Sequence, residues 1–143
     1  MSAPRLTYTV RGRTTAHETA RIDAGSETIP FDSSWASRPS GLPGPAELLA
    51  GSFAACLLKN MERAGQLLDF QYGSAEVEVT VRRQDDPPRF VEVSYEMTVT
   101  TDESPRRLDL VYRNLQKYGT VYNTLAAVCD VHGTLTADAL GSD

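Results

Sequence analysis

The sequence predicts an α+β fold in a single domain covering residues 1–143, and three observations carry that reading. Leu48 to Leu58 contains no charged residue and has the length and flanks of a helix. Val77 to Val81 and Val91 to Val99 alternate apolar with polar residues, the period of half-buried strands. Leu108, Val111, Tyr112, Leu115 and Tyr118 recur at helical spacing. A chain of this length buries enough surface to fold without a structural metal or disulfide.

Leu6, Tyr8 and Val10 alternate with polar residues and predict the first strand. Residues 14 to 32 are polar with scattered apolar positions and predict two irregular strands. Ser33 to Gly44, with Pro39, Gly41 and Pro43 among serines, predicts a long loop. Pro45 suits a first helical position, and Glu47 lies in the first turn, where the helix dipole favours a carboxylate. Leu48, Leu49, Phe53, Ala54, Ala55, Cys56, Leu57 and Leu58 cover nearly the whole helix circumference, so this helix needs cover on all sides. Charges return from Lys59 to Arg63, and Gly65 is the predicted end.

Asp85-Asp86-Pro87-Pro88 is the predicted turn of a hairpin whose strands each have one apolar face. That sheet is covered on one side only. Ser104 is the predicted cap of the second long helix and Pro105 its first residue. Gly119 is expected to close it in the left-handed conformation. A short helix over Val121 to Ala127 and a last strand over Val128 to Ala137 complete the chain. A few one-sided strands and one further helix cannot wrap a helix that is apolar all round. The expected cover is a second copy of the chain, in a two-fold homodimer with the central helices at its heart.

The formal net charge is -5, and the basic residues cluster only in the pairs Arg82-Arg83 and Arg106-Arg107, which argues against a nucleic-acid partner. No apolar run reaches the ~18 residues of a membrane span. Met1 to Thr9 lacks the apolar core of a secretory signal, so a soluble, cytoplasmic protein is expected. In that compartment Cys56 and Cys129 are expected as free thiols.

Few residues offer chemistry. Cys56 has Ser52, Phe53, Lys59 and Asn60 as helical neighbours, apolar on one side and polar on the other. Free cysteine is among the most buried residue types, so its plain reading is a small core residue; its reactive reading needs a partly accessible, electropositive setting. Cys129 shares an apolar strand face with Val131, Gly133 and Leu135. His132 falls on the opposite face, which argues against a metal site built on the pair. His17 sits in a polar segment and is expected on the surface. The sequence holds no phosphate-binding glycine loop, nucleophile elbow or paired metal motif, and no cofactor is expected.

The block Gly44-Pro45-Ala46-Glu47-Leu48-Leu49-Ala50-Gly51-Ser52-Phe53-Ala54-Ala55-Cys56 resembles the helix motif of the OsmC/Ohr family, the osmotically inducible and organic hydroperoxide resistance proteins. Gly119-Thr120-Val121-Tyr122-Asn123-Thr124-Leu125 occupies the place of that family's second motif, Cys-Pro-x-x-Asn-Thr. The order of predicted elements matches over nearly the whole chain. The resemblance implies an OsmC-like fold: one-sided antiparallel sheets wrapped around two central helices in an intertwined homodimer. It also implies a peroxidatic thiolate that attacks a hydroperoxide, a second cysteine that closes a disulfide, an external dithiol that reduces it, and an Arg and a Glu that hold the thiolate ready.

Two positions depart from that pattern. Ala46 stands where the family has its glutamate; Glu47 follows one residue later, about 100° round the helix. Gly119 stands where the family has its second cysteine, and Cys129 lies ten residues further on. The candidate activating residues are Arg13, Arg21 and Glu47. Two functions follow. In one, Cys56 is the catalytic residue of a single-cysteine, thiol-dependent reductase of organic hydroperoxides, with a role in the oxidative stress response. In the other, the dimer is not a catalyst and binds an apolar small molecule or a protein partner in a pocket lined by Leu49, Phe53 and Leu57.

Overall fold

The computed structural model describes residues 6–16, 19–35, 38 and 40–141; His17 and Pro39 lie outside them. The chain divides into two compact units, residues 1–48 and 49–143.

The first unit holds an antiparallel sheet in the order β1 (Arg11–Thr14), β2 (Ala20–Ala24), β3 (Glu27–Pro30). Ala24 pairs with Glu27, leaving Gly25-Ser26 as the turn, and Gly25 takes a positive φ of 61° that glycine adopts without steric cost. The predicted first strand is displaced. Leu6, Tyr8 and Val10 are exposed and belong to no strand, and β1 starts only at Arg11. Alternation makes a strand only where a partner strand lies alongside, and the pairing with β2 begins at Arg11 opposite Asp23. The helix α1 (Pro45–Leu67) starts as predicted but runs two residues past Gly65. Gly65 serves packing: a Cβ there would stand 3.1 Å from Cε1 of Tyr72.

In the second unit, β4 (Ser74–Asp85) and β5 (Pro88–Thr100) form the hairpin, turning at Asp86-Pro87. Val77, Val79 and Val81 face Met97, Tyr95 and Val93 across the pair, so one apolar face runs over both strands. Ser104 caps α2 (Pro105–Tyr118) through its Oγ, which accepts the Arg107 N–H at 3.3 Å. A short helix α3 (Thr120–Ala126) follows, and then β6 (Asp130–Asp138).

The sheet order is β4-β5-β6, and β6 runs parallel to β5, not antiparallel as expected. Parallel neighbours need a long crossover, and α2 with α3 supplies it by carrying the chain back to the start of β5. The apolar sheet face meets Phe53, Leu57, Met61 and Ala64, which lie along one side of α1, and Val111, Leu115, Tyr122 and Leu125 from α2 and α3. Phe53, Leu57 and Met61 are fully closed off from solvent, each contributing roughly 1.5–3 kcal/mol of transfer free energy. The opposite side of α1 is not covered within this unit: Ser52, Ala55 and Leu58 are exposed there. Among the described residues no helix is long and apolar enough to cross a membrane.

Candidate functional site

Cys56 sits on the flank of α1 between its buried and exposed sides. Phe53 and Leu57 beside it are in the core, Ala55 is exposed, and Cys56 itself is half-buried. Its thiol is free, as is that of Cys129. Asn60 lies one helical turn later on the same flank, and its Nδ2 donates to the Cys56 carbonyl at 2.8 Å and stands 3.6 Å from Sγ.

Gly119 lies against the sulfur. A Cβ built on it would be 3.2 Å from Cys56 Sγ, 2.9 Å from Cβ of Tyr122 and 3.0 Å from the Leu115 carbonyl oxygen. Its backbone is extended, at φ -76° and ψ 114°, and not left-handed as expected. The reason is that α3 begins at Thr120, so Gly119 is at once the end of α2 and the cap of α3. Glycine is used at this corner for close approach.

Tyr122 also belongs to a ladder of phenols beside this corner. Tyr112 donates to the Gly133 carbonyl at 2.9 Å, which commits its proton and leaves its oxygen to accept from Tyr95 at 2.8 Å. Tyr95 in turn accepts from Tyr122 at 3.4 Å, and Tyr122 accepts from Gln116 Nε2 at 3.5 Å. Burial, then these bonds, pushes the Tyr95 phenol far above its usual range, so it stays a neutral donor. Phe53 packs on Tyr95 and Tyr122, with ring centroids 5.6 and 5.5 Å apart. The ladder joins α2, α3, β5 and β6 and so holds the corner that bears Gly119.

Among the candidate activating residues, Arg13 and Arg21 are direct partners across β1 and β2. Arg21 is half exposed and pairs with Asp23 at 3.7 Å. Glu47 is exposed in the first turn of α1, and its carboxylate lies back over Gly44 at the helix start. Of the residues expected to line a pocket, Phe53 and Leu57 have essentially no exposed surface and Leu49 is half-buried. Within this unit all three belong to or pack against the core. Cys129 precedes β6 and packs against the core, its thiol donating to the Phe90 carbonyl at 3.4 Å. His132 is on the exposed face of β6, as expected.

Sequence reasoning overlooked two groupings. The tyrosine ladder mixes residues from four elements and has no local signature; the one hint is that three tyrosines stand among apolar core positions. The other grouping is a surface cluster: Glu92, Asp130 and His132 bring donor atoms within 4.8 Å of one another. Glu92 binds His132 Nε2 at 3.0 Å and Arg82 Nε at 3.1 Å. Those bonds hold its carboxyl below the usual range, and the bond to Glu92 raises the His132 imidazole above its usual value. With a guanidinium on one Glu92 oxygen, this is an ion-pair network on an open face, and it could hold a cation only by giving up the Arg82 and His132 contacts.

Comparison with known proteins converges on one family. Residues 38–132 match the family of OsmC-like proteins. No curated protein sequence matches the chain significantly. Solved structures do: an OsmC-like protein from Mycoplasma pneumoniae shares 16% identity with a TM-score of 0.81, covering 92% of this chain and 97% of that one. The organic hydroperoxide resistance protein OsmC of Legionella pneumophila shares 15% at a TM-score of 0.70, over 94% and 99% of the two chains. The organic hydroperoxide resistance protein OhrB of Bacillus subtilis shares 16% at 0.64, over 91% and 98%. At such identities the structures establish the fold, and the family match covers both Cys56 and Gly119. The chain is a divergent member of the OsmC family.

Proposed function

We propose that this protein is a single-cysteine, thiol-dependent reductase of organic hydroperoxides, with Cys56 as the reacting residue. The observation that carries the reading is the pairing of a half-buried Cys56 with a glycine packed directly against its sulfur, in a fold shared with organic hydroperoxide resistance proteins. The Cys56 thiolate attacks the terminal oxygen of the hydroperoxide. An S–O bond forms, the O–O bond breaks, and the alkoxide leaves and takes a proton from water, giving the alcohol and a sulfenic acid. With Gly119 at the corner, no adjacent cysteine can close a disulfide. A small external thiol therefore attacks the sulfenic sulfur and expels water; a second thiol then resolves the mixed disulfide and restores Cys56.

The working unit is a homodimer. Its support is the uncovered side of α1, where Leu58 is 37% exposed in a stretch without a single charge. A second copy covers that side most simply, by the same face on both chains.

The test is consumption of tert-butyl hydroperoxide with a dithiol reductant. Turnover by the natural protein that disappears in Cys56→Ser supports the reading. Turnover unaffected by that change removes Cys56 as the nucleophile, and absence of turnover favours the non-catalytic binding role.

A further inference from the structure

Asn60 is placed to do more than cap its own helix turn. A carbonyl oxygen only accepts hydrogen bonds, so the group that Asn60 turns toward the Cys56 carbonyl, 2.8 Å away, has to be its NH2 and not its Oδ1. This fixes the amide's orientation. The same nitrogen is 3.6 Å from Cys56 Sγ, within reach of a hydrogen bond to sulfur. An amide NH2 carries two hydrogens. The carbonyl holds one, and the other is available to the sulfur. Both residues are only partly buried, and the bond to the carbonyl holds the donor in place.

We propose that Asn60 is a positioning residue for Cys56: its side-chain N–H supports the sulfur in the thiolate form and holds it toward Gly119. The inference rests on the reading of Cys56 as a reactive thiol. A bond from an amide to a thiolate is charge-assisted and stronger than the bond to a neutral thiol. Its contribution falls on how fast the Cys56 sulfur reacts with any electrophile. Neither Glu47 nor an arginine is needed for it.

The test uses the intact chain and follows alkylation of each cysteine separately by peptide mapping with iodoacetamide over a range of pH. Asn60→Ala replaces a weak helix former by the best one, so the helix persists. Asn60→Leu keeps the size, removes the donor and adds no charge. The expected result is a lowered Cys56 rate profile in both variants, with the rate at neutral pH reduced about threefold or more. Cys129, bonded to the Phe90 carbonyl and remote in sequence, keeps its natural rate. An unchanged Cys56 profile in Asn60→Ala overturns the proposal. So does a change that appears equally at Cys129, since that reports loosening of the fold. Alkylation needs no hydroperoxide turnover. A lowered Cys56 profile in a protein that consumes no hydroperoxide upholds the role of Asn60 and removes only the peroxidase reading.

Discussion

Gly119 presses on the sulfur of Cys56: a Cβ at position 119 would be 3.2 Å from Sγ, close to the roughly 3 Å that separates a Cβ from the opposite sulfur in a disulfide. A cysteine at position 119 would therefore lie within disulfide reach of Cys56. The corner has nevertheless closed around the glycine, since the same Cβ would meet Cβ of Tyr122 at 2.9 Å and the Leu115 carbonyl oxygen at 3.0 Å. Gly119→Cys should accordingly do two opposite things. The reduced variant should lose about 1–3 kcal/mol of stability through overpacking at a backbone corner. On mild oxidation the introduced thiol should form a disulfide with Cys56 and recover part of that loss. Urea unfolding of reduced and oxidised samples, with mapping of the linked peptide, checks both. A reduced variant as stable as the natural protein would show that the corner is looser than its geometry.

The elements that were legible in the sequence are those set by local chemistry. Pro45 and Ser104-Pro105 mark helix starts because caps and prolines act on their own backbone. The β4–β5 hairpin is legible because its alternation and its turn are adjacent. Leu6 to Val10 misled because alternation is a statement about a face, and the face must be met by a partner strand. The direction of β6 was not legible, for it depends on where α2 and α3 set the chain down. Gly119 follows a helix, where glycine is usually left-handed, yet it is extended here. Its real constraint, crowding by Cys56, Tyr122 and Leu115, comes from three other places in the chain. Cys56 was legible as part of a motif; the Asn60 contact was not, because helical spacing places two residues on one face without saying which atoms meet.

Gly133 should be a sensitive position in the second sheet although it has no side chain to lose. It pairs with Tyr95 across the parallel β5–β6 ladder. A Cβ on it would run into the Tyr95 backbone oxygen and lie 2.5 Å from Cγ of the Tyr95 ring. The ring cannot swing away cheaply, because it is packed on Phe53 and its hydroxyl is held by Tyr112 and Tyr122. Gly133→Ala should destabilise by about 3 kcal/mol, read as a lower urea midpoint with an unchanged slope. It should also disturb the Tyr112 bond to the Gly133 carbonyl, visible as altered near-ultraviolet dichroism. A change under about 1 kcal/mol would mean that β6 can shift away from β5.

His132 and Glu92 give a pH dependence whose sign is fixed. The imidazole is raised above its ordinary 6.5 by its bond to Glu92, so its contribution to stability is fully present below pH 6.5 and is lost as pH rises through the folded-state value. Glu92 is held below its ordinary 4.5 by His132 and Arg82, so its contribution is present above pH 4.5 and is lost as pH falls through its lowered value. The pair therefore supports the β5–β6 contact most between those two values. Both groups face water, so the effect is small and best read directly. Proton NMR should show His132 titrating above 6.5, and Glu92→Gln should bring it down. A titration that Glu92→Gln leaves in place would dismiss the bond as the cause.

The exposed side of α1 offers a test of assembly that is independent of catalysis. Phe53 and Leu57 belong to the core of their own unit, so charges there would unfold the chain and say nothing about a partner. Leu58 differs: it lies on the same charge-free stretch but is 37% exposed. In a lone chain, Leu58→Asp replaces a surface leucine by a solvated carboxylate and should change stability by no more than about 0.5 kcal/mol, apart from the weaker helix propensity of Asp. In a dimer packed through this side, it would bury an unpaired charge on each chain, a cost of several kcal/mol counted twice by symmetry. The expected outcome by light scattering is a natural protein at twice the chain mass. Leu58→Asp should then appear at the chain mass or fail to remain soluble, while Leu58→Met keeps the natural mass. If natural protein and Leu58→Asp both run as folded monomers with equal unfolding midpoints, no second copy covers this side, and the exposed apolar face of α1 needs a different explanation.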